Sequence, residues 1–481
     1  MDDLICNNTD SIYHVFRQID KNGKGFAFII DSINRKYKGI VTDGDLRRSI
    51  LDKLPIELSV EEIIKNKNKS VVARIGDSTE KLLSYISENI KYVPILDDKD
   101  FLVDYFEYKA EFHIPIASTE LTGKELSYVN DCILSNWISS QGKYVQNFES
   151  AFAGYIGSKY GVSVMNGTAA LHLALLALGV GEGDEVLVPD LTFAATINSV
   201  LYTGATPVIV DINKHSWCID VDEVLESITE KTKAILLVHI YGQPCDMSAF
   251  LEIAKKKKIY IIEDCAEAHG ATYEGRKIGS FGEISCFSFY GNKIVSTGEG
   301  GMCLTDNEEL FNKMRVIRDH GMDPKKKYWH SVIGYNYRMT NIQAAIGLAQ
   351  LERIEELQEK RHQINQWYAQ NLENVKAFQR QEDLNDRKKV VWLVSYLVSD
   401  PKISRDLVIT KAKEYNIDLR PFFYPLSQMP IYSRFARKRN EVSERISAIG
   451  LNLPTILSLN YEEYKRIGEI LTNIIEELGK I

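Results

Sequence analysis

The sequence lacks a surplus of positive charge and any long apolar run, and each absence excludes a class of protein. The 481 residues carry a formal net charge of -8, which argues against binding to a phosphate backbone, so nucleic acid is not an expected partner. No apolar run reaches the ~18 residues that a membrane helix needs, and the first residues lack the basic and apolar pattern of a signal peptide. We therefore expect a cytoplasmic protein without a membrane segment.

The sequence also lacks paired cysteine motifs. Its seven cysteines are scattered, with no C-x-x-C pair and no spacing typical of metal ligands. Scattered cysteines of this kind are typical of free thiols in a reducing compartment, and we predict no metal site. At 481 residues the chain is too long for one compact core, so two or three domains are expected.

The first part of the chain shows a weak internal repeat. Residues 15–31 and 82–98 both have the pattern of a short amphipathic helix, a turn and an apolar strand followed by aspartate. The first copy continues into "KGIVTDGDLRRSILD", which predicts a strand, a Thr-Asp turn and a helix. This stretch resembles the CBS (cystathionine-beta-synthase) module, and residues 1–112 are interpreted as a tandem CBS-like regulatory module.

The CBS resemblance implies a site for an adenine nucleotide, whose ribose Thr42 and Asp45 would hold. In the second copy no matching turn follows the strand, where the chain reads "DFLVDYFEYKAEF". Any nucleotide site is therefore single or lost. Two interpretations of the module stay open: an allosteric regulator that binds a nucleotide, and a folded appendage that only aids oligomerisation.

From about residue 113 the pattern changes to alternating helices and strands. Short continuous apolar strands such as "KAILLVHIYG" and "KKIYIIED" are separated by amphipathic helices, which is typical of a parallel sheet buried on both faces. After a long helical stretch, the tail has the pattern of a smaller α+β domain. The predicted class is α/β, with a large domain over 113–355 and a small one over 356–481.

Three predicted strand ends carry groups suited to a ligand, because ligands of open α/β sheets bind at the carboxyl ends of the strands. Asp264 ends an apolar strand, the turn 166–168 opens a helix whose N-terminus suits a phosphate, and Phe193 follows a third strand. Each has a simpler explanation when it is considered alone. Asp264 could form a buried salt bridge, the turn 166–168 could be a plain helix cap, and Phe193 could be a core aromatic side chain.

Lys293 stands in the polar, glycine-rich segment "SFYGNKIVSTGEGGM". The glycine spacing does not match a Walker phosphate loop, and a plain surface lysine is the alternative. Together with Asp264, the turn 166–168 and Phe193, however, it forms the set that pyridoxal phosphate (PLP) requires. A lysine forms the Schiff base, a carboxylate keeps the pyridine nitrogen protonated, the turn binds the phosphate and an aromatic ring stacks on the cofactor.

Long stretches of the second part resemble the DegT/DnrJ/EryC1/StrS family of sugar-nucleotide aminotransferases. They include "NGTAALHLALLALGVGEGDEV", "HIYGQPCDM", "IEDCAEAHGATYEGRKIGSFGEISCFSFYGNKIVSTGEGGM" and "YWHSVIGYNYRMTNIQAAIGLAQLE". The resemblance implies a type I aminotransferase fold, PLP as cofactor, L-glutamate as amino donor, and a homodimer with active sites at the subunit interface. Because Lys293 is present where some members have histidine, transamination is expected and dehydration is not.

The resemblance also implies roles for single residues. Lys293 would be the Schiff-base lysine, Asp264 the partner of the pyridine nitrogen, and Glu267 a neighbour of the phenolic oxygen of the cofactor. Phe193 would stack on the ring. The phosphate would be held by Gly167, Thr168 and Ser288, and by Asn336 of the other subunit.

For the sugar substrate the resemblance suggests two segments, with packing at a dimer interface or a domain seam as the alternative. The candidate substrate-binding residues are His320, Tyr328, Trp329, His330, Arg420, Phe422 and Tyr424. The expected substrate is GDP-4-keto-6-deoxy-D-mannose, aminated at C4 for a surface polysaccharide such as O-antigen. A UDP- or dTDP-linked 4-keto or 3-keto deoxy sugar is the alternative, and a nucleotide sensor with a relic enzyme domain is the alternative from another class.

Overall fold

A computed structural model of the chain describes residues 2–65, 67, 71–77, 81, 82, 85, 90–107 and 113–480. The chain divides into two compact units, Met1–Phe112 and His113–Ile481. None of the helices formed by the described residues combines the length and the apolarity needed to span a bilayer.

The first unit contains two small three-stranded sheets and three described helices. Helix α1 begins where Ser11 accepts a hydrogen bond from the His14 N–H and ends at Gly23, whose φ of 63° few other residues adopt. The strands are β1 (Ile5–Asn7), β2 (Phe26–Ile30), β3 (Tyr37–Thr42), β4 (Ala73–Arg74), β5 (Tyr92–Leu96) and β6 (Leu102–Glu107). The helices are α1 (Ile12–Asn22), α2 (Asp43–Leu51) and α3 (Glu61–Lys65).

Aromatic side chains join the two sheets of the first unit. The rings of Phe26 and Tyr92, from β2 and β5, lie with centroids 3.9 Å apart, and Tyr105 of β6 packs edge-on against Phe26 at 5.7 Å. Both sheets contain an antiparallel hairpin with a register shift near its end, β2–β3 and β5–β6. The helix predicted at the start of the second repeat falls largely outside the described residues, as does the stretch 108–112 that follows β6.

A seven-stranded sheet forms the centre of the second unit. Its order is β7-β15-β14-β11-β10-β8-β9, and only β15 runs antiparallel to its neighbours. This confirms the predicted mostly parallel sheet. The strands of the sheet are β7 (Tyr160–Val164), β8 (Glu185–Pro189), β9 (Thr206–Val210), β10 (Thr232–Val238), β11 (Tyr260–Asp264), β14 (Ile284–Ser288) and β15 (Gly301–Thr305).

The first helices of the second unit precede, connect or follow these strands: two come before β7, four stand between β7 and β11, and one follows β15. They are α4 (Glu125–Leu134), α5 (Lys143–Ile156), α6 (Gly167–Ala177), α7 (Ala194–Tyr202), α8 (Val221–Ser227), α9 (Met247–Lys257) and α10 (Glu308–Arg318). The central strands are buried along most of their length, as strands covered by helices on both faces must be. A small sheet, β13-β12-β17, is formed by β12 (Thr272–Tyr273), β13 (Arg276–Lys277) and β17 (Arg387–Lys388).

The predicted long helical stretch is two helices, α11 (Asn341–Leu351) and α12 (Ile354–Asn371). The predicted boundary between residues 355 and 356 falls in the first turn of α12. Beyond it lies an antiparallel sheet, β16-β18-β20-β19, with its own hydrophobic core. Its strands are β16 (Phe378–Arg380), β18 (Val394–Val398), β19 (Arg420–Pro421) and β20 (Gly450–Leu453), and the remaining helices are α13 (Arg405–Glu414), α14 (Glu441–Ile449) and α15 (Tyr461–Leu478).

Candidate active site

Asp264 is the last residue of β11, in the middle of the central sheet. It pairs with Val238 of β10 and Cys286 of β14, and its side chain is 6% exposed. The carboxylate accepts hydrogen bonds from the Thr196 hydroxyl (3.2 Å) and the Ala266 N–H (3.1 Å), both uncharged donors. Burial raises the pKa of Asp264, and these donors and the charge of Lys293 only partly oppose it.

Lys293 lies in the loop between β14 and β15, with its side chain only 11% exposed. Its Nζ is 3.4 Å from Oε1 of Glu267. Burial lowers the pKa of Lys293, and the carboxylates of Glu267 and Asp264 act in the opposite direction. The alternative of a plain surface lysine does not fit a side chain that is buried among carboxylates.

Glu267 is held by the backbone of a distant segment. The N–H of Tyr241 donates to Oε2 of Glu267 at 2.7 Å, and Tyr241 itself has a φ of 51°. A positive φ in a bulky side chain is unusual and persists only where the surroundings enforce it. Burial raises the pKa of Glu267, with Lys293 opposing. Two buried carboxyl groups, Glu267 and Asp264, therefore interact with a single amine. A further positive charge at the site would balance the second carboxylate.

The predicted phosphate turn lies at the N-terminus of α6. Asn166 caps the helix by accepting from the Ala169 N–H at 2.9 Å. A Cβ atom on Gly167 would lie 2.8 Å from the Cβ of Ser288, so only glycine allows the helix to approach the end of β14 this closely. Thr168 follows on the half-buried first turn. The structure thus brings Gly167, Thr168 and Ser288 together.

Gly167→Ala is expected to weaken both folding and PLP binding. The added methyl must push against Ser288, and overpacking of this kind costs about 1–3 kcal/mol of unfolding free energy. Urea denaturation and PLP titration of the apoprotein measure the two effects. Gly154→Ala is the matched control, because Gly154 lies in α5 with open space around the new methyl. It should leave PLP affinity unchanged and stabilise the helix, by up to about 1 kcal/mol.

Phe193 is the N-cap residue of α7 and is 60% exposed, with its ring centroid 5.7 Å from that of Phe423. It therefore offers a free ring face, unlike a core aromatic. Asn336 is also exposed, and its Oδ1 accepts a hydrogen bond from Nε of Arg338 at 3.2 Å. Its side chain therefore lies at the surface of the second unit.

The predicted sugar-binding residues lie in two segments. His320, Tyr328, Trp329 and His330 belong to an exposed loop closed by the bridge between Asp319 and Asn336. Tyr328 is 78% exposed and Trp329 is 54% exposed. Arg420 forms an ion pair with Asp418 at 2.9 Å, and Tyr424 is exposed.

Phe422 differs from the other predicted sugar-binding residues. It is fully buried against Trp217 and Tyr241, and a Cβ on Gly450 would lie 2.1 Å from its ring. Its ring therefore packs the core and offers no face to a ligand. Aromatic residues follow one another in this segment, and no pattern in the sequence predicts which of their rings is buried.

The structure adds three residues that the sequence patterns did not single out. Thr196 donates to Asp264, Tyr241 holds Glu267, and the ring of Trp392 lies against Lys293, with Nζ 3.6 Å from the ring centroid. Thr196 stands one turn after Phe193, a spacing that could have indicated it. Tyr241 and Trp392 come from other segments, and no local pattern marks them.

One group of potential metal ligands occurs among the described residues, formed by His239, Glu263 and Cys265. The Glu263 carboxylate accepts from the N–H groups of Gly279 (2.8 Å), Phe281 (2.8 Å) and Gly282 (2.7 Å), and its Oε2 lies 3.3 Å from Nε2 of His239. With these donors the carboxylate is already satisfied. The group is explained as a buried anchor for the loop after β13.

In the first unit, Thr42 and Asp45 form a capping box at the start of α2. Asp45 is buried and its oxygens pair with Lys67 (2.5 Å) and Arg48 (2.8 Å). The Thr42 hydroxyl donates to Asp45 at 2.8 Å. The two predicted nucleotide-binding side chains thus lie together, and they hold each other and two cations.

The residues at the end of the central sheet fit PLP. Asp264 is a buried carboxylate whose hydrogen-bond donors are uncharged, as a partner for a protonated pyridine nitrogen should be. Lys293 supplies a buried amine, and the contact of Gly167 with Ser288 forms a narrow cradle at a helix N-terminus. The exposed ring of Phe193 follows β8, which is separated from β11 by β10 in the central sheet.

Comparison with known proteins agrees with this chemistry. Residues 119–472 match the sequence profile of the DegT/DnrJ/EryC1/StrS aminotransferase family. The chain is 44% identical over 365 residues to the GDP-perosamine synthase of Escherichia coli O157:H7, covering 76% of this chain and 99% of that protein. It is 45% identical over 365 residues to the GDP-perosamine synthase of Caulobacter vibrioides, covering 75% and 98%.

A solved structure gives the same result for the fold. Spr1654 of Streptococcus pneumoniae, in its PLP form, superposes with a TM-score of 0.72 at 28% identity, over 76% of this chain and 99% of that one. The sequence match, the fold and the buried lysine with its carboxylates agree with one another. The chain therefore belongs to the DegT/DnrJ/EryC1/StrS aminotransferase family and is a PLP-dependent sugar aminotransferase.

Proposed function

We propose that the chain transfers the amino group of L-glutamate to C4 of GDP-4-keto-6-deoxy-D-mannose, giving GDP-perosamine for a surface polysaccharide such as O-antigen. The observation that carries the transamination is the buried amine of Lys293, which lies 3.4 Å from a carboxylate oxygen of Glu267 and interacts with the charge of Asp264. The choice of sugar is supported by the two relatives named GDP-perosamine synthase, which the chain covers almost completely. Seven buried, free cysteines favour a reducing compartment such as the cytoplasm.

In this proposal the residues of the site would hold PLP between them. Lys293 would bond PLP, Asp264 would pair with the pyridine nitrogen, Glu267 would lie at the phenolic oxygen and Phe193 would stack on the ring. The phosphate is held by Gly167, Thr168, Ser288 and Asn336 of a second copy. PLP, when bound, supplies an electron sink that stabilises negative charge on the substrate carbon.

The protein then moves protons with Lys293. Its Nζ would carry a proton from the α-carbon of glutamate to the cofactor in the first half-reaction, and from the cofactor to C4 of the sugar in the second. The lowered pKa of Lys293 keeps a larger fraction of the amine neutral, which the first step requires. Glu267, 3.4 Å from Nζ, orients the amine.

The exposed loop 320–330 and the segment from Arg420 of β19 to Tyr424 form the proposed sugar side. Tyr328, Trp329 and Tyr424 offer exposed rings, and Arg420 offers a guanidinium to the phosphates of a nucleotide sugar. His320 and His330 complete the loop, and Nδ1 of His330 lies 2.9 Å from the His320 carbonyl oxygen. Phe422 is left out because it is buried.

Incubation of the purified chain with PLP, glutamate and a panel of nucleotide-linked keto sugars tests the proposal. Formation of 2-oxoglutarate and of an amino sugar is expected with GDP-4-keto-6-deoxy-D-mannose. Lys293→Ala is the negative control. Turnover of a UDP- or dTDP-linked 4-keto or 3-keto sugar, with none of any GDP sugar, would assign the chain to the alternative substrate class.

We also propose that the chain works as a homodimer. Large apolar side chains such as Trp137 (56% exposed), Leu134 (83%) and Ile333 (88%) lie on the surface of the second unit, and burial against a second copy would remove them from water. The proposed role of Asn336 needs that second copy. Light scattering of the full chain should give twice the monomer mass.

The first unit is proposed to be a CBS pair that regulates the enzyme by binding an adenine nucleotide. Calorimetry of the full chain with AMP, ADP and ATP tests this. Asp45→Ala should weaken binding at least tenfold, roughly the loss of one charged hydrogen-bond acceptor. Asp52→Ala, an exposed acid at the end of α2, is the control and should bind as the unmodified chain does. No heat with any of the three nucleotides would leave only the appendage interpretation.

A further inference from the structure

Trp392 contacts the amine of Lys293 directly. Nζ lies 3.6 Å from the centroid of the indole, and Trp392 is only 4% exposed. An ammonium group over the face of a tryptophan is attracted by the negative charge of the ring face, more strongly when water is excluded. The contact joins the loop between β14 and β15 to the strand region just before β18.

The same indole also holds the backbone beside the lysine. Its Nε1–H donates to the carbonyl oxygen of Asn292 at 2.8 Å. Asn292 immediately precedes Lys293, so the Trp392 side chain contacts both Nζ of the lysine and the peptide group that leads into it. A ring without an N–H could make only the first of these contacts.

Trp392 is itself fixed from several sides. Nη1 of Arg361, a side chain that is 2% exposed, donates to the Trp392 carbonyl oxygen at 2.7 Å. The indole lies nearly parallel to the rings of Tyr241 (14°, 6.1 Å) and Phe423 (26°, 6.4 Å). Tyr241 in turn holds Glu267 through its N–H. The ring thus belongs to a packed group that also orients the carboxylate facing the amine.

We propose that Trp392 is a positioning residue for Lys293: its ring face holds the amine and its Nε1–H holds the adjacent peptide, so that Nζ stays directed at the reacting carbon whenever it is not bonded to PLP. This inference rests on the proposed function, because it assumes that Lys293 is the lysine that bonds PLP. The role is not catalytic in itself, since the indole acts through the lysine.

The charged groups around Lys293 set the direction of the expected effect. Glu267 and Asp264 stabilise the ammonium form, and burial destabilises it. The positive charge of Lys293 also reaches His269, a buried neutral imidazole whose pKa burial lowers to about 3 and which Arg361 also influences. Since the indole face stabilises the ammonium form, its removal should lower the pKa of Lys293.

The capture of PLP by the apoprotein measures this directly. PLP reacts with the neutral amine, so the rate of capture, followed by absorbance, rises with pH through the pKa of Lys293. In Trp392→Leu we expect the midpoint to move to lower pH by about 0.4 to 1.5 units. The plateau rate at high pH should fall roughly tenfold, because the amine is no longer held in place.

Two control variants separate positioning from loss of packing. Trp392→Phe keeps an aromatic face, so its pH midpoint of PLP capture should lie close to that of the unmodified chain. Its plateau rate should stay low, because phenylalanine has no N–H to hold the Asn292 carbonyl. Trp367→Leu removes a partly buried indole that packs on Tyr461 and Tyr464, away from Lys293, and should change neither quantity. If Trp392→Leu does not fold, fluorinated tryptophans in the full chain replace it. Each added fluorine makes the ring face less negative and so weakens its attraction for the ammonium group, which should lower the pH midpoint of PLP capture. Fluorination should have no effect on the midpoint in a Trp392→Phe background.

An unchanged midpoint in Trp392→Leu or in the fluorinated series would overturn the inference, as would an equal shift in Trp367→Leu. In both cases the wild-type chain would still capture PLP, and the proposed function would stand. Failure of the wild-type chain to capture PLP would overturn the proposed function, and this inference with it.

Discussion

Lys293→Ala is expected to abolish transamination, with turnover falling by about 10⁴-fold or more, because the chain loses its covalent link to PLP and its proton-transferring amine together. The visible absorption band of bound PLP should disappear from the purified protein. Absorption spectra and 2-oxoglutarate production measure the two losses. An unchanged spectrum would remove Lys293 from the site.

Two lysine variants make the test specific. Lys293→Arg keeps a positive charge beside Glu267 and against Trp392, but a guanidinium cannot form the bond to PLP, so it should be as inactive as the alanine variant. Lys277→Ala removes another partly buried lysine, whose Nζ donates to the Tyr155 carbonyl oxygen at 2.9 Å. That variant should keep both the absorption band and the activity.

Asp264→Asn is expected to lower activity by about 10³-fold, since an amide of the same size cannot keep the pyridine nitrogen protonated. The same substitution should increase the stability of the apoprotein. Burial raises the pKa of Asp264, so the unfolded chain gives up this proton more readily, and stability falls as the pH rises from the unfolded pKa through the folded pKa of this carboxyl group. At pH 8 the apo variant should therefore be more stable, by about 1–3 kcal/mol.

Glu263→Gln is the matched control, because it changes the neighbouring buried acid of the same strand. Glu263 accepts hydrogen bonds from the N–H groups of Gly279, Phe281 and Gly282, and an amide nitrogen cannot replace an oxygen there. This variant should lose about 1–3 kcal/mol of unfolding free energy and keep its turnover once folded. If Asp264→Asn destabilised the apoprotein as well, Asp264 would be a structural acid like Glu263.

The two confirmed predictions, the mostly parallel sheet and the PLP cofactor, depended on local sequence patterns. Apolar strands separated by amphipathic helices predicted the mostly parallel sheet, because burial on both faces requires continuous apolar strands. PLP was predicted from a lysine, a strand-end aspartate and a helix-opening turn, and the family match and a PLP-bound relative confirm the cofactor. The individual residue roles and the CBS interpretation of the first unit stay predictions.

The predictions that needed more than the sequence concern side chains whose neighbours are distant. Phe422 and Tyr424 stand in one aromatic segment, yet the first is buried under Gly450 and the second is exposed. Which ring points inward depends on how the segment crosses the core. Similarly, Asp45 was predicted as a ribose ligand, and only the fold shows it paired with Lys67 and Arg48.

Short-range periodicity, strand termination and helix capping predict the class of fold, the strand-end carboxylate and the helix turn. Lys293 stands out only in combination with that carboxylate and that turn. The surroundings of its amine, in contrast, depend on tertiary contacts. Trp392 reaches Lys293, and Tyr241 reaches Glu267, from segments far away along the chain. Such contacts form where separate layers pack together, and packing between layers leaves no periodic signal in either segment.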